Sequence, residues 1–180
     1  DLGPFIREKI DIDLDGRPSK VLDFDDLDIA EPIIGDEFAA ALSGALRDDQ
    51  ITSDAMERVV HTYGKSLRDL VRIRRGDLGR LPDLIVYPEN EDEVSAIMAA
   101  ALANDVVVIP FGGGTNISES LEPPRGERRT VVSVDMQKMD QVLEIDEAAR
   151  TARVQAGVFG PHLEEQLNRT GWTLGHFPDS

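Results

Sequence analysis

Pro110-Phe111-Gly112-Gly113-Gly114-Thr115-Asn116 is the stretch of this sequence best equipped to hold a ligand. Its three consecutive glycines carry no Cβ, so the backbone can reach positive φ and approach a bound group closely. Successive N–H groups in such a turn form a concave nest suited to phosphate oxygens. Thr115 and Asn116 add side-chain donors and acceptors at the same place. Taken alone, the glycines fit a tight loop that holds nothing equally well. Two nucleotide loops are excluded. A Walker loop needs Lys and then Ser or Thr after its last glycine, whereas Thr115 and Asn116 follow Gly114. The dinucleotide fingerprint needs a glycine where Ile117 stands and then a helix, which Pro123 and Pro124 forbid. A phosphate held here is therefore expected to be gripped by loop amides rather than by a helix end.

Other candidate chemistry is weaker. His162 and Glu165 are spaced to share a helix face, but no third ligand accompanies them and no metal is expected. Asp11, Asp13, Asp15 and Gly16 have the opening of a calcium loop, yet Leu22 occupies the position that needs a bidentate glutamate. Arg68, Arg72, Arg74 and Arg75 read as the solvated face of a helix whose Leu67, Leu70 and Val71 are buried. His61 reads as a surface or packing residue.

The elements that must position the glycine loop can be read from periodicity. Ile10 to Leu14 alternates like a short strand, with Asp15-Gly16 as its turn. A helix over 32–46 puts Phe38, Ala41, Leu42 and Ala45 on one face. Thr52 or Ser53 caps a second, in which Met56, Val59 and Val60 are apolar. Leu84 to Tyr87 reads as a strand stopped by Pro88. Asn90 is placed to cap a helix whose first turn carries Glu91, Asp92 and Glu93, and Asn104 can close it in a left-handed conformation. Val106 to Ile109 reads as the next strand, ended by Pro110. Strand, helix and strand make a βαβ unit, with the glycine loop at the carboxyl end of a parallel strand, where open α/β sheets bind ligands. Thr130–Val134 reads as another strand, and 142–145 with 151–156 as an antiparallel hairpin. A helix from Pro161 to Arg169 and a short strand over Gly171–Gly175 complete the pattern. An apolar element so near the last residue suggests a fragment.

Composition narrows the function classes. The 180 residues carry a formal net charge of −16, a field that repels nucleic acid. There is no cysteine, which excludes disulfides and thiolate metal sites and is compatible with the cytoplasm. No apolar run is long enough for a membrane span, and Asp1 to Gly16 lacks the pattern of a signal peptide.

The ordered set Leu81-Pro82-Asp83-Leu84-Ile85-Val86-Tyr87-Pro88, Pro110–Asn116, Val131–Asp135, Val154–Val158 and Gly175-His176-Phe177-Pro178-Asp179-Ser180 resembles the FAD-binding domain of the vanillyl-alcohol oxidase/p-cresol methylhydroxylase superfamily. With His61–Gly64 and Ile73–Gly76 upstream, it is most similar to the alkyldihydroxyacetone-phosphate synthase branch and its bacterial FAD-linked oxidoreductase relatives. The resemblance implies an α+β fold: a helical, acidic lead-in over 1–80, then the first half of a flavin-binding domain over 81–180. It implies that Pro110, Phe111, Gly112, Gly113, Gly114, Thr115 and Asn116 wrap the FAD pyrophosphate, and that Asp179 and Ser180 begin a second cofactor-contacting stretch. As an anion, Asp179 suits a ribose hydroxyl or backbone amides rather than phosphate.

Some relatives attach flavin through a histidine beside the loop. None lies between Pro110 and Pro124, so non-covalent FAD is expected. Catalytic and substrate groups are expected after Ser180, and the fragment alone is expected to be inactive. The function so implied is an FAD-linked oxidoreductase acting on a hydroxy acid or alcohol. The alternatives are an alkylglycerone-phosphate synthase-type transferase that uses FAD without net redox, and a non-enzymatic interaction module on the same scaffold. A homodimer is compatible with these bounds.

Overall fold

The computed structural model describes residues 3–10 and 22–176. The expected strand around Ile10–Leu14 and its turn lie largely outside them. Ile10 itself ends helix α1, Gly3–Ile10. Asp179 and Ser180 also lie outside the described residues.

A four-stranded sheet organises the rest. After helix α2 (Asp36–Ala45), strand β1 (Ile51–Thr52) leads to helices α3 (Ala55–Val60) and α4 (Leu67–Arg74). Strand β2 (Leu84–Val86), helix α5 (Glu91–Ala103), strand β3 (Val107–Phe111) and strand β4 (Val131–Asp135) follow. The sheet order is β1-β2-β4-β3, with β4 parallel to both neighbours and β1 antiparallel to β2. The expected β2–α5–β3 unit is present, but β4 is inserted between its two strands. That leaves β3 at the edge, where a proline can sit in a strand without removing a ladder bond. Strand β3 accordingly runs through Pro110 to Phe111 rather than stopping at the proline.

Alternation sends successive side chains to opposite faces. Leu84, Val86, Val132 and Val134 meet Phe38 and Leu42 of α2 and Ile97 and Ala101 of α5 on one face. Phe38 and Leu42 are fully buried, each worth about 1.5–3 kcal/mol over an exposed position. Ala41 and Ala45 remain exposed, so the buried stripe of α2 is narrower than expected. Ile109, Phe111, Leu121 and Val131 pack on the opposite face.

Asp83, fully buried before β2, ties three segments together. Its carboxylate accepts from the Ile33 N–H at 2.8 Å, the Val131 N–H at 2.8 Å and the Arg80 guanidinium at 2.9 and 2.5 Å. Its own N–H donates to the Val131 carbonyl at 2.7 Å.

Helix α4 meets the expectation in part: Arg68, Arg74 and Arg75 are exposed, but its buried face is not the leucine face. Leu67 is 78% exposed and Leu70 is exposed too, while Asp69 and Arg72 are buried. The Arg72 guanidinium donates to Glu122 at 2.5 Å and to Asp77 at 3.3 Å and lies 5.3 Å from the Tyr63 ring centre. A buried arginine is tolerable when its charge is paired in this way, and Glu122 comes from a distant loop. Met56 and Val60 of α3 are likewise exposed, while Arg58 is buried and donates to the Pro82 and Ala30 carbonyls at 2.8 Å each. Asp54, rather than Thr52 or Ser53, caps α3.

Asn90 caps α5 as expected, accepting from the Glu93 N–H at 2.9 Å. The left-handed residue at its far end is Asp105, with φ 51°, not Asn104. Strands β5 (Val142–Asp146) and β6 (Thr151–Val154) form the expected hairpin, and helix α6 spans Gly160–Asn168. Gly171–Gly175 is not a strand. The Glu164 carboxylate takes the Leu174 N–H and the Thr173 hydroxyl at 2.8 Å each, leaving that backbone donor nothing for a ladder. Among the described residues, no helix is long and apolar enough to cross a membrane, and no three His, Asp or Glu side chains gather as a metal site.

Candidate functional site: the glycine loop and its floor

Strand β3 carries Phe111 to the carboxyl end of the parallel strands, where it pairs in register with Asp135 of β4. The chain then turns through Gly112 to Asn116. Among the described residues, the backbone N–H groups of Gly112, Gly113, Gly114, Thr115 and Asn116 donate to no acceptor. Gly112, Gly113 and Thr115 are exposed, so those donors stand at the surface rather than inside the fold. A row of unsatisfied amides at a strand end is what an anion needs.

The three glycines differ in what they require. Only Gly114 has positive φ, at +62°, so of the three it alone uses the left-handed freedom that glycine allows. A Cβ on Gly114 would stand 2.9 Å from Cζ of Phe111. On Gly113 it would stand 3.0 Å from Cε1 of Phe159. On Gly112 it would meet nothing within 4 Å, so no contact within the protein demands glycine there. Phe159 is the residue before α6, so its side chain brings the start of this helix near the loop.

The underside of the loop comes from residues 61–65, well before β3. The Lys65 N–H donates to the Asn116 carbonyl at 2.7 Å, and the Asn116 side-chain oxygen accepts from the Ser120 N–H at 3.2 Å. Gly64 lies so close to Asn116 that a Cβ there would come within 2.8 Å of its side-chain amide atoms and nearer still to its carbonyl oxygen. The buried His61 ring lies 4.2 Å from the Phe111 ring, tilted by 47°. Asp135 accepts from His61 Nε2 at 2.8 Å. Tyr63, buried next to Gly64, has its phenol pushed up to about 12, chiefly because burial disfavours the phenolate. Burial also raises Tyr87, whose hydroxyl donates to Glu57 at 2.8 Å.

Sequence reasoning missed His61, Gly64 and Asp135 as parts of this site. Asp135 left one signal: a carboxylate directly ending the run Val131–Val134, at the sheet end where ligands bind. His61 and Gly64 left only their place in the upstream resemblance and no sign of a role at the loop, because their partners are far away in the chain. Pro110 and Phe111 lie in β3, Gly112 to Asn116 form the free-amide turn, and the structure brings all seven together.

A family model described as an FAD binding domain matches residues 82–180. The alkyldihydroxyacetonephosphate synthase of Trypanosoma brucei brucei is 45% identical over 150 residues, covering 83% of this chain and 24% of that protein. A solved structure titled as an alkyldihydroxyacetonephosphate synthase superposes with TM-score 0.85 at 41% identity, covering 99% of this chain and 34% of that one. The fold extends to p-cresol methylhydroxylase, with TM-score 0.56 at 15% identity over 78% of this chain and 27% of that one. The chain thus spans a quarter to a third of the length of its alkyldihydroxyacetonephosphate synthase relatives. The free-amide turn fits the cofactor that the family model names. The chain belongs to the FAD binding domain family, shares its fold with p-cresol methylhydroxylase, and is a homologue of the alkyldihydroxyacetonephosphate synthases.

Proposed function

We propose that this chain supplies the pyrophosphate-binding half of the flavin site in an alkyldihydroxyacetonephosphate synthase-type enzyme. The observation that carries the site is the row of free amides from Gly112 to Asn116 at the end of β3. These N–H groups would take the phosphate oxygens, with Pro110 and Phe111 setting the direction of the turn. Asp179 and Ser180 would open the second stretch of contacts. Amide dipoles offer local positive potential inside a chain of net charge −16. With no histidine between Pro110 and Pro124, the cofactor is held without a covalent bond. Once bound, the flavin ring supplies the electron-accepting or adduct-forming chemistry, and the protein supplies position. The extent of identity with the synthases favours alkyl-for-acyl exchange over hydroxy-acid oxidation. The oxidoreductase reading rests on the wider superfamily.

The test is the visible spectrum of the full-length gene product, with Gly112→Val beside it. Wild type is expected to carry yellow, releasable FAD. Gly112→Val is expected to lose it while keeping the unfolding midpoint of FAD-free wild type, since the new side chain meets no protein atom at its Cβ. A flavin-free protein that cannot be reconstituted would remove the proposal. A fatty alcohol supplied with acyl-dihydroxyacetone phosphate then separates the reactions. Ether product without reduction of an added dye supports the synthase, and dye reduction by a 2-hydroxy acid supports the oxidoreductase.

A further inference from the structure

We infer that His61, held by Asp135, is a positioning residue for the phosphate loop and acts through Phe111. The inference rests on the flavin reading above and adds to it a residue, His61, outside those that the family model covers.

His61 is 3% exposed and Asp135 1% exposed, 74 positions apart in the chain. Burying two ionisable groups is costly, and a well-packed apolar pair of similar volume would serve stability at least as well. What the polar pair adds is direction. Asp135 Oδ1 accepts from the Gln137 N–H at 2.8 Å, and Oδ2 accepts from the Gln137 side-chain amide at 3.0 Å and from His61 Nε2 at 2.8 Å. The other ring nitrogen, Nδ1, faces the Glu57 carbonyl at 2.7 Å and the Glu57 carboxylate at 3.6 Å. The imidazole is thus fixed at both nitrogens and cannot turn about its Cβ–Cγ bond without giving up a contact.

Phe111 rests on this fixed plane, with ring centres 4.2 Å apart, and Tyr87 closes another side edge-on at 6.0 Å. The Phe111 ring also reaches to 2.9 Å from the point where a Gly114 Cβ would be. Gly114 is the loop residue in the left-handed region, so its backbone sets where the following amides point. A shift of His61 therefore passes to Phe111 and from Phe111 to the turn. The chain of contact is Asp135, His61, Phe111, Gly114.

The experiment uses the full-length gene product, reconstituted with FAD, with affinity read from flavin fluorescence at a temperature where every variant is folded. His61→Gln, which keeps a polar group but loses the ring, is expected to weaken FAD binding about tenfold. In a Phe111→Leu background the same substitution is expected to have little further effect, which a merely structural role would not produce. Should His61→Gln fail to fold, Asp135→Asn, nearly the same shape, is expected to give the same dependence on Phe111. Unchanged affinity in the folded variants overturns the inference and leaves the flavin reading standing. So does an equal loss with and without Phe111. A wild-type protein that binds no FAD overturns both, and is told apart from these by that measurement alone.

Discussion

Replacing Gly64 with alanine tests the floor of the loop at its closest approach. Gly64 does not have positive φ, so alanine suits its backbone, and by itself the change would stabilise the chain by about 0.4–1 kcal/mol through the unfolded state. The new methyl, however, would lie 2.7 and 2.8 Å from the Asn116 side-chain nitrogen and oxygen, where ordinary contact begins at 3.4 Å. Those amide atoms can rotate away. The Asn116 carbonyl oxygen, closer still, moves only with the main chain. Its displacement would also stretch the hydrogen bond from the Lys65 N–H, now 2.7 Å long. Overpacking costs about 1–3 kcal/mol and the weakened hydrogen bond about 1 kcal/mol. Less the gain in the unfolded state, the net loss is about 1–3 kcal/mol. Urea unfolding of the full-length product measures it, and FAD titration measures the accompanying loss of affinity as Asn116 leaves its place. A Gly64→Ala protein more stable than wild type, with unchanged FAD affinity, would refute the claim that residues 61–65 seat the loop.

Two further outcomes follow from positions away from that contact. Gly157→Ala puts a Cβ inside contact distance of the Met136 carbonyl and 2.8 Å from the Gln137 Cα, all main chain, so a loss of about 1–3 kcal/mol is expected in the urea midpoint. Tyr63, raised to about 12 from an ordinary value near 10, favours the fold while protonated. Its contribution is complete below about pH 10 and is lost as pH rises through about 12, because the unfolded chain gives up the proton first. Tyr63→Phe should make that alkaline decline in stability shallower, with the raised Tyr87 accounting for part of what remains.

Local signals were legible in the sequence where one segment decides its own structure. The Asn90 cap, the β5–β6 hairpin, helix α6 and the glycine turn are all of this kind, and each is where the residues place it. Reading failed where a distant partner decides. Helix α4 buries Arg72, against the reading, because Glu122 from a later loop pairs with it inside, a choice no helical periodicity can express. Pro110 stays within its strand because β4, added later in the chain, takes the inner position and leaves β3 the edge. Gly171–Gly175 has strand composition, but Glu164 reaches its backbone first. His61 looked like filler because Asp135 and Phe111 arrive only through the sheet.

The parentage of the loop's floor bears on how this module could be moved between proteins. A graft cut at residue 82, where the recognisable domain begins, would carry the glycines and leave behind their seat, which arrives from residues 61–65. A transplanted turn would keep its sequence and lose its shape. On the proposed flavin reading, recombination that preserves nucleotide affinity must inherit both pieces together, so selection on the turn would extend to a helix–turn segment that carries no glycine-rich signature of its own.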